Sequence, residues 1–250
     1  FFRPDDCPRL LTLAPEKAAV FERLEVDHLW LVPFDGAVAA RTAGQFTSEL
    51  KAFLGVQLLV VGPDFALGKG RAGDVPELRR LGEKSGFEVL VLDEKVEEEN
   101  APISSTRVRQ AVEAGAVEAA ARMLGRPFAF SGEVVAGRQL GRTLGVPTIN
   151  LQIPARKVVP AHGVYAARAA WVGQSTPLPV ALSIGTNPSV GGTSLSIEFH
   201  VIGAEIATPP KTAQVEIIAR LRGQENFATV DELVLQMRRD IEQAAEILAR

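Results

Sequence analysis

A single cysteine, Cys7, leaves no partner for an internal disulfide and points to a reducing compartment, the cytoplasm. His28, His162 and His200 are the only histidines, and with that one cysteine they do not make a structural zinc set. No apolar run approaches the ~20 residues that span a bilayer. The opening F-F-R-P lacks the cationic start and apolar stretch of a signal peptide. An initiator methionine is missing too, so the sequence reads as part of a longer chain. Basic charge is not in excess: the net charge is −3, which offers nothing to nucleic acid or an anionic membrane surface. Repeats and low-complexity tracts are also absent. What is present is 46% hydrophobic residues in a chain of 250, enough for two cored domains or one large one.

The hydrophobic period changes partway along. In residues 1–127, short apolar runs at 26–32, 57–62 and 87–92 read as buried parallel strands. Helical patterns fall between them, at about 15–24, 45–55 and 75–86, and continue at 105–114 and 117–124. That alternation predicts a doubly wound, Rossmann-like α/β domain. After G-R-P at 125–127 the runs at 130–136, 164–171, 179–184, 195–201 and 213–219 are strand-like, with Gly and Pro in the gaps. Residues 128–250 therefore predict a small antiparallel β-barrel closed by one helix. Thr229 and Glu232 form a capping box at the start of that helix, and Leu233, Met237, Ile241, Ala244 and Leu248 form its apolar stripe.

The chemistry concentrates in G-R-T-L-G-V-P-T-I-N at 141–150. Glycines let backbone N–H groups approach an anion, and Arg142 adds charge-assisted bonds. Thr148 and Asn150 are two apart and face one side of an extended segment. Their two neutral oxygens suit a Mg²⁺ ion held mainly by a nucleotide. In the first half, G-P-D-F-A-L-G-K-G-R-A-G-D at 62–74 follows a predicted strand. It is not a Walker A loop, because Gly70 stands after Lys69 where Ser or Thr is needed. I-S-S-T-R-V-R at 103–109 puts hydroxyls at a helix N-terminus, where exposed N–H groups attract phosphate. Thr106 and Arg109 share a face of that helix, and Arg107 falls off it toward solvent. Taken singly each feature has a plain reading: turn glycines, a β-forming threonine, a solvent-facing glutamate, an ordinary helix cap.

Their order is more specific. The stretch at 145–150 resembles the PTAN signature of riboflavin kinases, with Ile149 in place of alanine. G-V-Y at 163–165, I-G-T-N-P at 184–188 and S-I-E-F-H at 196–200 follow in family order. With the loops at 62–74 and 103–109, nearly the whole chain is similar to the bacterial bifunctional riboflavin kinase/FMN adenylyltransferases, or FAD synthetases. The resemblance implies ATP-dependent phosphorylation of riboflavin to FMN in the second half and adenylylation of FMN to FAD in the first. It implies Gly132, Gly137, Gly141, Arg142 and Gly145 at the nucleotide, Thr148 and Asn150 at Mg²⁺ and phosphate, and Glu198 as catalytic base. Arg222 and Phe227 match a flavin loop in which Gln224 replaces the usual acid. Asp64, Ser104, Ser105, Thr106 and Arg109 match the adenylyltransferase grip on ATP and flavin. The implied partners are small molecules, riboflavin, FMN and ATP. The family's H-x-G-H motif occurs nowhere in the sequence; either it lies upstream or that half has degenerated, leaving a kinase with a vestigial lobe. A flavin-binding regulator without turnover is the third reading. Thr148, Asn150 and Glu198 argue against it, since binding alone needs no base.

Overall fold

The computed structural model describes residues 7–92, 96–137, 141, 144–189 and 192–250. Along the chain run α1 (Ala14–Arg23), α2 (Gly36–Ala40), α3 (Ala43–Leu54), β1 (Leu58–Val61), α4 (Val75–Ser85), β2 (Glu88–Val91), β3 (Glu97–Glu98) and β4 (Ala101–Pro102). There follow α5 (Ser105–Glu113), α6 (Val117–Leu124), β5 (Phe128–Val135), β6 (Ile149–Gln152) and β7 (Gly163–Ala170). The last elements are β8 (Leu178–Ser189), β9 (Gly192–Val201), β10 (Thr212–Gly223) and α7 (Val230–Leu248). They divide into two compact units, one of residues 28–96 with the first few residues, the other of 8–27 and 97–250.

The smaller unit is a βαβ crossover. β1 and β2 pair in parallel, Leu58 opposite Glu88 through Val61 opposite Val91. α4 connects them, starting at an Asp74 cap that accepts from Glu77 N at 3.0 Å and ending at left-handed Gly86. α3 opens on a reciprocal Thr42–Gln45 box. Ala43, Leu81 and Phe87 form the buried centre. A Cβ on Gly82 would lie 2.3 Å from the Phe87 carbonyl, so α4 sits directly on the chain entering β2. The third strand expected at 26–32 is not formed. Those residues have no ladder partner among the described residues, and Trp30 is 53% exposed. Alternation and apolarity alone do not make a parallel strand; a neighbour must supply its hydrogen bonds and cover its faces.

The larger unit is a closed six-stranded antiparallel barrel in the order β10-β5-β6-β9-β8-β7. Alternate residues point inward, as period-2 side chains must. Phe128 and Phe130, Tyr165, Leu182 and Ile184, Ile197 and Phe199, Val215 and Ile217 fill the interior. Val108 and Val112 of α5, with Val117 and Ala120 of α6, join the same buried cluster. α7 lies outside, across β7, β8 and β10, with Ala244 and Leu248 against Ala166. Its N-cap differs from expectation by one residue. Thr229 accepts from Glu232 N at 3.2 Å, but the Glu232 carboxylate reaches back to Ala228 N.

α1 is fastened to this unit by a buried charge. Lys157, 1% exposed, donates to the carbonyls of Leu11 and Ala129 at 2.7 and 2.8 Å and to Glu16 Oε2. Glu16 also accepts from Leu13 N and Ser131 N. Burial lowers the Lys157 pKa, and the Glu16 hydrogen bond opposes that.

Candidate functional site

One row of cross-strand neighbours carries the polar residues. Arg222 on β10 stands opposite Val164 on β7, and Val164 opposite Ser183 on β8. Ser183 stands opposite Glu198 on β9, Glu198 opposite Asn150 on β6, and Asn150 opposite Val135 on β5. Ile197 and Phe199 point into the core, so Glu198 between them points out.

Three cavities meet along this row. The first, about 440 Å³, lies among Ser183, Gly185, Ser196, Glu198, Arg222 and Phe227. The second, about 290 Å³, lies under α7 and shares Ser183, Glu198, Arg222 and Leu233 with the first. The third, about 270 Å³, contains Gly137 and Asn150 and touches the second at Thr148 and His200. Glu198 borders the first two. Its Oε2 accepts from Thr148 Oγ1 at 2.9 Å and its Oε1 from Ser196 Oγ at 2.8 Å. Both carboxylate oxygens are thus oriented by hydroxyls, and each keeps a lone pair for a further donor.

The glycines divide by role. A Cβ on Gly137 would sit 2.1 Å from Asn150 Nδ2, so the Asn150 amide rests where any other residue would have its side chain. A Cβ on Gly141 would lie 2.4 Å from the Val146 carbonyl and 3.3 Å from Thr148 Oγ1, and Val146 N closes the turn onto Gly141 O at 2.8 Å. Gly145 is a left-handed turn residue with open space about it. Gly132 is apart from the cavities: it is buried in β5, where a Cβ would meet the Gln152 carbonyl at 2.7 Å. Arg142 lies outside the described residues.

Arg222 and Phe227, matched in sequence to a flavin loop, both border the first cavity, with the guanidinium 5.7 Å from the ring centroid. Most of that guanidinium is engaged. Nε and Nη2 reach the Asp240 carboxylate at 2.8–3.2 Å, and Nη1 donates to Gly223 O at 2.9 Å. The Asp240 hydrogen bond holds the Arg222 pKa above its ordinary value. Gln224 packs its amide against Gly185. His200 is half-buried, with Nδ1 2.8 Å from Pro147 O, an arrangement that places the proton on Nδ1. Ser183, Ser196 and Asp240 were not anticipated. Ser196 was within reach of sequence reasoning, since it shares the outward face of β9 with Glu198; Asp240 was not.

No group of three His, Cys, Asp or Glu among the described residues could hold a metal ion. Thr148 Oγ1 and the Asn150 amide oxygen fit the other arrangement, in which a few neutral protein oxygens complete a shell supplied by phosphates and water. Thr148 gives its proton to Glu198, which leaves its lone pairs for such an ion.

The first-half residues are distributed over both compact units. Asp64 is exposed in the loop at 62–74, and its backbone carbonyl accepts from Arg71 Nη2 at 2.9 Å. Leu67 and Gly73 bond to each other, closing the loop. A cavity of about 480 Å³ in this unit lies among Phe34, Arg41, Phe46, Phe65, Leu67 and Arg71. Ser104, in the larger unit, caps α5 by accepting from Arg107 N at 3.3 Å, with Ser105 and Thr106 exposed beside it. Arg109 Nε donates to the Arg9 carbonyl at 2.9 Å. Arg107 is not a solvent residue: its guanidinium turns back to the carbonyls of Glu98, Ala101 and Pro102 in the β3–β4 hairpin.

Among the described residues no helix is long and apolar enough to cross a membrane. A riboflavin kinase family model matches residues 124–248, and an FAD synthetase family model matches residues 1–107. The bifunctional riboflavin kinase/FMN adenylyltransferase of Escherichia coli K12 is 39% identical over 240 residues, 96% of this chain and 76% of that protein. The protein of the same name from Pseudomonas fluorescens is 34% identical over 251 residues, covering 100% and 79%. A crystal structure described as a macrolide-efflux protein from Streptococcus pneumoniae superposes with a TM-score of 0.83 at 30% identity, covering 94% of this chain and 75% of that one.

Proposed function

The chain belongs to the bifunctional riboflavin kinase/FMN adenylyltransferase family, and on that premise we propose that its barrel transfers the γ-phosphoryl group of ATP to the 5′-hydroxyl of riboflavin, giving FMN. The observation that carries the reading is Glu198. It stands one strand from Asn150, accepts the Thr148 hydroxyl, and borders the cavity that Phe227 and Arg222 line. ATP is assigned to the side of Gly137, Thr148 and Asn150, riboflavin to the side of Ser183, Arg222 and Phe227.

Phosphoryl transfer asks for positioning, charge neutralisation and a proton acceptor. Glu198 is the acceptor. As the 5′-oxygen bonds to the γ-phosphorus, its proton passes to the carboxylate and the bond to the ADP oxygen breaks. Thr148 and Asn150 would hold Mg²⁺ together with the nucleotide, and the bound ion would supply neutralisation of the phosphates. Gly137 and Gly141 let the chain approach Asn150 and Thr148 closely enough to fix them. Arg142 keeps the phosphate role that the family resemblance gives it.

Where an H-x-G-H segment completes it, the first half is proposed to adenylylate FMN to FAD, with Asp64, Ser104, Ser105, Thr106 and Arg109 at ATP and flavin. That step draws on an H-x-G-H segment, which the 250 residues do not contain. The setting is proposed to be the cytoplasm, with riboflavin, FMN and ATP as partners. Incubating the chain with riboflavin, ATP and Mg²⁺ and separating the flavins tests both halves. FMN without FAD is expected; no FMN overturns the kinase assignment.

A further inference from the structure

Asp240 is the most buried carboxylate near the row, 4% exposed, yet it has no place in phosphoryl transfer. Its oxygens take three contacts from Arg222 and one from Gln236 Nε2 at 2.9 Å. The bond joins the end of β10 to the middle of α7. It thereby closes the chain between 222 and 240 on itself. The segment inside that closure forms a wall of the first cavity. It also wraps the guanidinium: Gly223 offers its carbonyl, Phe227 its ring face, and Glu225 a carboxylate 3.9 Å away. Arg222 is therefore a post around which the 223–229 segment is folded, and Asp240 holds the post. An arginine in a bidentate pair keeps its orientation far better than one on a flexible stem. Both residues line the second cavity with Thr148, but neither borders the third, where Asn150 and Gly137 lie.

We propose that Asp240 is a positioning residue for riboflavin: through Arg222 it fixes the 223–229 segment and so sets affinity for the flavin without setting affinity for the nucleotide. The inference rests on the assignment of the first cavity to riboflavin.

The test is riboflavin binding by quenching of flavin fluorescence, beside ADP–Mg²⁺ binding by calorimetry, on the full 250-residue chain. Asp240→Asn keeps the shape and removes the charge. Riboflavin should bind roughly tenfold or more weakly, the scale of a lost charge-assisted hydrogen bond, and ADP as before. Asp240→Glu should recover part of the riboflavin affinity. Unchanged riboflavin affinity overturns the proposal. So does an equal loss for both ligands in a folded variant, which marks a merely structural role. If Asp240→Asn does not fold, the paired change Arg222→Gln with Asp240→Asn leaves no charge unpaired and is held to the same result. If that fails as well, hydrogen exchange of the unaltered chain decides. Riboflavin should slow exchange in 223–229 and around Asp240 together; slowing in the segment alone overturns the coupling. Failure of the unaltered chain to bind riboflavin at all would instead refute the kinase reading on which the proposal stands.

Discussion

Gly137→Ala isolates the contact that fixes Asn150. The new methyl carbon would lie 2.1 Å from Asn150 Nδ2 and 2.5 Å from its Cγ. Relaxed contacts between such atoms need about 3.5 Å, so the amide has to retreat by on the order of 1 Å. Gly137 is not among the left-handed glycines, so alanine brings no backbone strain. Asn150 is only half-buried and can swing into the third cavity. The stability loss should therefore sit at the low end of about 1–3 kcal/mol for overpacking, a few degrees in melting temperature. The kinetic loss should be larger. A ligand displaced by ~1 Å costs about 10²-fold, here in kcat/KM for ATP at saturating riboflavin. Riboflavin affinity should hold, because Gly137 and Asn150 do not border the first cavity. The assay is steady-state FMN formation against ATP and Mg²⁺, with thermal unfolding measured in parallel. A variant with a lowered melting temperature but native kcat/KM for ATP would show that Asn150 does not hold the nucleotide or its metal.

Glu198→Gln keeps an oxygen for one hydroxyl and loses the proton acceptor, so kcat should fall by roughly 10²- to 10⁴-fold with riboflavin affinity retained; native turnover removes Glu198 as base. Thr148→Ala should weaken Mg²⁺–nucleotide binding, and an unaltered Mg²⁺ dependence would exclude Thr148 as a ligand. Lys157→Met leaves Glu16 charged and buried and should destabilise the larger unit by about 3–5 kcal/mol, read from denaturant unfolding. Tyr165 is the sole tyrosine, so phenolate absorbance reports it alone. Burial raises its pKa above the ordinary 10.0, with Arg220 opposing. In the folded state the phenol then holds its proton at a pH where the unfolded chain has released it. Stability should fall as pH rises from the ordinary value toward the raised one. Ionisation of the folded protein at the ordinary value would refute the burial argument.

Local signals were legible where they were self-contained. α6 spans the residues its apolar period marks, Val117–Leu124, because its stripe lies within it and left-handed Gly125 ends it. The run at 26–32 has the composition of a strand without a partner to make it one, and no single segment encodes its neighbour. β6 is four residues long between Pro147 and Pro154, too short for a period to show, yet it brings Asn150 beside Glu198. Thr148, Asn150 and Glu198 were found as separate motif members, and the barrel register supplies their meeting. Arg222 was legible as a residue but not in its attachment. Its partner Asp240 lies on the next element, within a helix whose visible pattern is its apolar stripe. Arg107 likewise looked free because the carbonyls it serves belong to a hairpin of two-residue strands.

The row also explains why a barrel suits two substrates of unequal size. Neighbouring strands are about 4.8 Å apart, so Asn150 lies about one such step from Glu198, while Arg222 lies three steps away on the other side. The short side matches a phosphoryl group that must reach the base directly. The longer side leaves room for a sugar-alcohol chain to run from the base to a ring system near Phe227. Ser183 stands on that path, exposed, one strand from Glu198 and two from Arg222. A substrate shortened between ring and reacting hydroxyl should then keep its ring contacts and lose turnover, because its oxygen stops short of Glu198. If such an analogue were phosphorylated as fast as riboflavin, the ring would have to bind nearer to Glu198, and the assignment of the Arg222 end would be wrong.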